Sequence, residues 1–268
     1  MIGKKMGWII AGAAVAVPAL LGAAQIQANY SDKTRNFVLS GFATFGFKTA
    51  GDGGMTFSGK GKPAVGVSVS QKLRVEALQW SGTASKSAAG TNELTEAVWT
   101  GLVHVVADQD TGMVDIQVPK ASFKSEGRTF QLEGGLTIVQ TLKDGTMTLK
   151  AGAGTISLFD TKPADAPSSI RSAQVAGNVR VVMRTQAKDQ KAPTVLTADG
   201  ARLVYDAKAR TLTLTGGVKL TGDDSVMSGD AVGSSAVVTL DETGKPIGIE
   251  MVGEPGVTHI TERKKGGR

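Results

Sequence analysis

After residue 30, apolar and polar residues alternate one by one in short runs, and that period of two constrains the fold more than any other feature of the chain. Such runs are 65–69 (VGVSV), 73–75 (LRV), 114–118 (VDIQV), 146–150 (TMTLK), 179–181 (VRV), 203–205 (LVY), 211–215 (TLTLT) and 218–220 (VKL). A period of two puts Leu212 and Leu214 on one face and the neighbouring threonines on the other. Turn signals separate the runs: Asp110-Thr111-Gly112, Lys143-Asp144-Gly145, Asp199-Gly200, Gly222-Asp223-Asp224 and Glu242-Thr243-Gly244. No segment in this region holds the three-four periodicity of a long helix. The expectation is an all-β protein of many short strands. Segments 51–63, 81–92, 159–169 and 187–193 read as loops, and 159–169 (FDTKPADAPSS) reads as the boundary between two halves of one body.

A repeat of the form G-x-(V/L)-x-(V/L/I) runs through these strands. It occurs at Gly101, Gly134, Gly177 and Gly216, reading GLVHV, GGLTI, GNVRV and GGVKL. Before the second and fourth lie further alternating runs, TFQLE and TLTLT, so the unit reads as strand, glycine turn, strand, stacked by near-repetition. Glycine makes up 35 of 268 residues, about 13% where about 7% is usual. That is far below the one-third of collagen. The clustered Val, Ile and Leu and the net charge of only +6 exclude a disordered chain.

The first residues read as an export element. Lys4 and Lys5 precede an uncharged run over residues 6–24. This run falls between the core of a signal peptide and the ~20 residues of a spanning helix. The lysines fit the positive-inside rule, and Gly22 and Ala24 suit a cut after Ala24, whereas Trp8 suits a retained interfacial anchor. Either way the rest of the chain is expected in the periplasm, free or tethered to the inner membrane by residues 6–24. Without the two lysines the net charge is +4, too slight for a nucleic-acid footprint. Residues 261–268 form a basic tail.

Catalytic patterns are missing from the sequence. There is no Cys, so neither a disulfide framework nor a thiolate metal site can form. The two histidines, His104 within an alternating run and His259 near the end, cannot supply a multi-histidine site. No H-E-x-x-H, nucleophile elbow, P-loop or dinucleotide fingerprint occurs. The run from Asp108 to Gly112 has the start of a calcium loop, but Pro119 stands where the twelfth-position Glu would be. The acid pairs Asp223-Asp224 and Asp241-Glu242 read as turn residues. The expectation is a protein that is not an enzyme and carries no cofactor.

Residues 197–253 carry an ordered series: Ala198, Asp199, Ala201, Tyr205 and Asp206, then Leu212, Leu214, Gly216, Val218 and Leu220, then Gly229, Asp230 and Ala231. In this order the segment resembles the OstA-like family (the organic-solvent-tolerance N-terminal type), which comprises the LptA/LptC-type periplasmic lipopolysaccharide-transport proteins. The segment 101–177 echoes it more weakly. The resemblance implies an antiparallel β-jelly roll of two facing sheets, with a first half at 37–160 and a second at 170–260, after a linker at 25–36. It also implies a dry slot for the acyl chains of lipopolysaccharide or a related glycolipid. Exposed edge strands would pair with other β-jelly-roll proteins of the transport system or with a second copy, with no nucleic acid involved. Segment 37–47, with Phe37, Phe42, Phe45 and Phe47, has no counterpart in the family pattern; these rings suit either core or the mouth of the slot.

On alternation in paired strands, the slot residues are expected to be Phe130, Leu132, Leu136, Ile138, Leu203, Tyr205, Leu212, Leu214, Val218 and Leu220. Each suits ordinary core equally well. Two further readings stand beside the lipid carrier. One is an envelope scaffold without lipid cargo, for which the interior would be filled by side chains. The other is a carbohydrate-binding sandwich with Trp80 and Trp99 as its platform.

Overall fold

In the computed structural model the alternating runs form strands far longer than the apolar clusters that announce them. The described residues are 37–49, 53–68, 73–86, 92–109, 112–142, 145–159, 170–185, 194–223, 228–240 and 246–253. They contain twelve strands: β1 (Phe37–Thr49), β2 (Met55–Ser68), β3 (Leu73–Lys86), β4 (Asn92–Gln109), β5 (Gly112–Lys124), β6 (Thr129–Leu142), β7 (Gly145–Leu158), β8 (Ile170–Thr185), β9 (Thr194–Asp206), β10 (Thr211–Asp223), β11 (Ser228–Leu240) and β12 (Pro246–Val252). All twelve lie in one antiparallel sheet in strict chain order, with β1 and β12 at its edges. The all-β antiparallel expectation holds. Residues 1–36 and 254–268, including the export element, His259 and the basic tail, lie outside the described residues. So do 160–169, where the boundary was expected, and 187–193; β7 and β8, on either side of 160–169, pair from Gly145–Thr185 to Leu158–Ile170.

Two of the expected loops are strand. Residues 55–63 belong to β2 and 81–86 to β3, each paired on both sides. Glycine, lysine and serine hide these strands from an apolar count. Their missing side chains are covered by rings of neighbouring strands. A Cβ on Gly59 would fall 2.5 Å from the Phe42 ring, and one on Gly82 would fall 2.5 Å from the Phe57 ring.

The glycine repeat has a different meaning from the turn it suggests. TFQLE and GGLTI are one strand, β6, and TLTLT and GGVKL are one strand, β10. At each repeat two residues of an even strand oppose one residue of a neighbouring odd strand. Gly101-Leu102 faces Pro119, Gly134-Gly135 faces Gly152, Gly177-Asn178 faces Ala201, and Gly216-Gly217 faces Ser234. Both residues of every pair have positive φ, from 52° at Asn178 to 98° at Gly135. These are β-bulges, which bend a strand sharply and increase its twist. Repeated on β4, β6, β8 and β10, they crease the sheet across its middle. The two facing layers are therefore the two arms of one creased sheet.

Across the crease the alternation keeps its inner face. Buried residues step by four through the bulge of an even strand (Trp99 to Val103, Leu132 to Leu136, Val175 to Val179, Leu214 to Val218) and by three through an odd one (Val118 to Ala121, Ala151 to Gly154). On one arm, register aligns Phe47, Phe57, Gly82, Ala97, Phe123, Phe130, Ile156, Ala173, Tyr205, Leu212 and Val238 in a single row from β1 to β11. On the other arm, Gly66, Val75, Val105, Ile116, Ile138, Leu149, Val181, Ala198 and Leu220 form a row from β2 to β10. The arms meet in one apolar core. A Cβ on Gly200 would come within 2.8 Å of the Leu214 side chain of the opposite arm.

Candidate functional site

All ten expected slot residues lie on this inner face, in β6, β9 and β10. Phe130, Tyr205 and Leu212 share one row, Leu132, Leu203 and Leu214 the next, and Leu136, Ile138, Val218 and Leu220 line the other arm. None is more than 5% exposed. The Phe123 and Phe130 rings pack at 4.8 Å between centroids. In the middle of the sheet the space between the arms is filled by these side chains.

Among the described residues, the inner face opens toward the ends of the sheet. At the β1 edge, Phe45 and Phe47 continue the two rows of their arm and are 39% and 59% exposed, with no strand beyond β1 among the described residues. Phe42 is half-buried and stands edge-on to Phe45 at 5.0 Å and to Trp80 at 5.8 Å, and Trp80 stands edge-on to Trp99 at 6.2 Å. Both tryptophans are 5% exposed, so the carbohydrate platform expected of Trp80 and Trp99 does not exist; their positions in the sheet turn them to the interior. The Trp80 indole N–H is buried without an acceptor among the described residues. A groove of about 450 Å³ at this end is lined mostly by outward-facing residues, among them Thr44, Ser58, Lys60, Gln79, Ser81 and Thr100, so it lies on the outer face beside the edge rings and not between the arms. None of the ten expected residues lines it. At the far edge, Ile247 of β12 is 56% exposed, whereas Val252, opposite Ser235, stands on the outer face.

The outer face carries the charged residues in cross-strand pairs, beside the exposed Leu78, Leu102 and Met113. Lys120 donates to Glu133 at 3.0 Å, with Lys120 and Glu133 directly opposite in register. His104 lies on this face, with Nε2 3.0 Å from Asp115 Oδ2 and Nδ1 3.6 Å from Glu76 Oε2. It is thus a partnered surface residue.

Tyr205-Asp206, within the series that carries the family resemblance, has a structural explanation. Tyr205 belongs to the core, while the Asp206 carboxylate accepts the backbone N–H groups of Lys208 (2.8 Å) and Ala209 (2.9 Å) and so closes the turn between β9 and β10. Asp206→Ala leaves both donors without that acceptor. The expected loss is about 1–2 kcal/mol of stability in urea unfolding, with Asp206→Asn recovering most of it.

No protein-family model and no curated protein sequence matches the chain. Among solved structures it is similar to LptH of Pseudomonas aeruginosa, the LptA-homologous periplasmic component of the lipopolysaccharide transport device. The identity is 13% and the TM-score 0.37, over 58% of this chain and 92% of that one.

Proposed function

We propose that this is an exported, non-catalytic β protein that takes the acyl chains of lipopolysaccharide or a related glycolipid at its inner face and helps move the lipid toward the outer membrane. The observation that carries the reading is a continuous apolar face across a creased sheet, exposed at the β1 edge through Phe45 and Phe47. The ordered series over residues 197–253 supports it from the sequence side.

Burying acyl CH₂ groups against such a face is favourable by ~0.8 kcal/mol each. A chain entering at β1 first meets the Phe42, Phe45 and Phe47 rings. Its ester or amide carbonyl supplies a class of acceptor that the Trp80 N–H lacks. Deeper entry requires the arms to part, because Leu132, Leu203 and Leu214 already fill the centre. Movement of lipid then needs graded affinity rather than a reacting group. The edges of β1 and β12, unpaired among the described residues, present backbone N–H and C=O groups to a neighbouring β-jelly-roll protein or to a second copy.

The filled centre favours a second reading, an envelope scaffold without cargo. Photo-crosslinking separates the two. A photoreactive residue placed at Phe47, at Leu214 or at the outward Thr213 is exposed to radiolabelled lipopolysaccharide and irradiated. The expected result is strong labelling at Phe47, weaker labelling at Leu214 and none at Thr213. Absence of labelling at both inner positions in the folded protein, or equal labelling at Thr213, establishes the scaffold instead.

A further inference from the structure

Charge is placed on the outer face by a simple rule with one exception. Wherever two fully charged residues stand directly opposite on paired strands, they are of opposite sign: Glu96 with Lys124, Lys120 with Glu133, and Asp199 with both Arg180 and Lys219. Such pairs favour the sheet, and like charges directly opposite work against it. The exception among the described residues is Lys150 opposite Arg180, in the pairing of β7 with β8.

This pair does not sit on a flat surface. It stands at one end of a trough of about 230 Å³ lined by Lys150, Arg180, Thr146, Thr148, Val182 and Arg184. Thr146 and Arg184 are themselves directly opposite, so a third cation stands at the other end. The two threonines add hydroxyls, and no carboxylate lines the trough. The nearest acid, Asp199, lies 3.7 Å from the Arg180 Nε and is also opposite Lys219. Lys150 and Arg184 have no ion-pair partner among the described residues. Arg180 and Arg184 are four residues apart on one strand face, a span of ~14 Å that two long side chains can close upon a small anion.

We propose that this trough binds a phosphate group. Guanidinium and ammonium donors converging with hydroxyls match phosphate oxygens through charge-assisted hydrogen bonds. A bound phosphate also turns the Lys150–Arg180 repulsion into shared attraction. The trough lies ~30 Å from the β1 edge across the strands, so the inference does not depend on acyl-chain entry there.

The test uses the full chain and two probes. Calorimetric titration with inorganic pyrophosphate reads free phosphate. Co-sedimentation with phosphatidylcholine vesicles containing phosphatidic acid, against vesicles of phosphatidylcholine alone, reads a phosphate presented as a lipid headgroup. Saturable binding to either probe is expected, weakened about tenfold by Lys150→Gln or Arg184→Gln and unchanged by Arg202→Gln, a change at an exposed arginine on the other arm. Lys150→Gln is also expected to melt no lower than the parent, since it removes a repulsion. Binding to neither probe, an equal loss with Arg202→Gln, or a lowered melting temperature for Lys150→Gln overturns the proposal.

Discussion

Gly216→Val is expected to destabilise the protein by about 3–5 kcal/mol, while Gly217→Asn, one residue away, changes stability by less than about 1 kcal/mol. The contrast comes from the geometry of the crease. Gly216 has φ +84°, and a Cβ there would lie 2.5 Å from the Ala201 Cβ of the adjoining strand. Valine meets two costs at that position. A β-branched residue in the left-handed region is strained by about 1–3 kcal/mol, and forcing β9 aside costs a similar amount. Gly217, at φ +69°, has open space where its Cβ would be. Asparagine tolerates that backbone, and Asn178 (φ 52°) already holds the equivalent place in β8. The first bulge residue is glycine at all four repeats, whereas the second is Leu, Gly, Asn and Gly. Urea unfolding followed by far-ultraviolet circular dichroism measures both variants. Equal stabilities would mean that the bulge does not bear on the crease.

Phe130→Ala is expected to cost about 3–5 kcal/mol in the same assay, the range for removing a large side chain from a packed interior. Phe130 is 1% exposed and lies near the middle of the longest inner row, packed against the tilted ring of Phe123. Its neighbour Gln131 points outward and is exposed, so Gln131→Ala is expected to stay within about 0.5 kcal/mol. A small effect of Phe130→Ala would show that the arms are not closed over this row. It would then favour an interior that opens readily to an acyl chain.

The alternation itself determined a great deal. It identified the all-β class and the inward face of the runs it marked, in which all ten slot candidates are buried. Between bulges, side-chain direction in a strand follows parity, so Leu212 and Leu214 face the same way. Glycine positions were legible as a repeat, but their role was not. A glycine with positive φ serves a hairpin turn and a mid-strand bulge equally well, and the choice at Gly134 and Gly216 depends on which residues lie across the ladder. Segments 55–63 and 81–86 were hidden for a related reason. Phe42 and Phe57 cover Gly59 and Gly82 from adjacent strands, so the apolar surface of one strand is supplied by another. Tertiary register also decided that Trp80 and Trp99 turn inward, that Phe45 and Phe47 stand exposed at the sheet's edge, and that Lys150 meets Arg180. Each of these is a relation between residues on different strands. Local sequence sets which face a side chain takes, while only pairing across the sheet sets what it meets there.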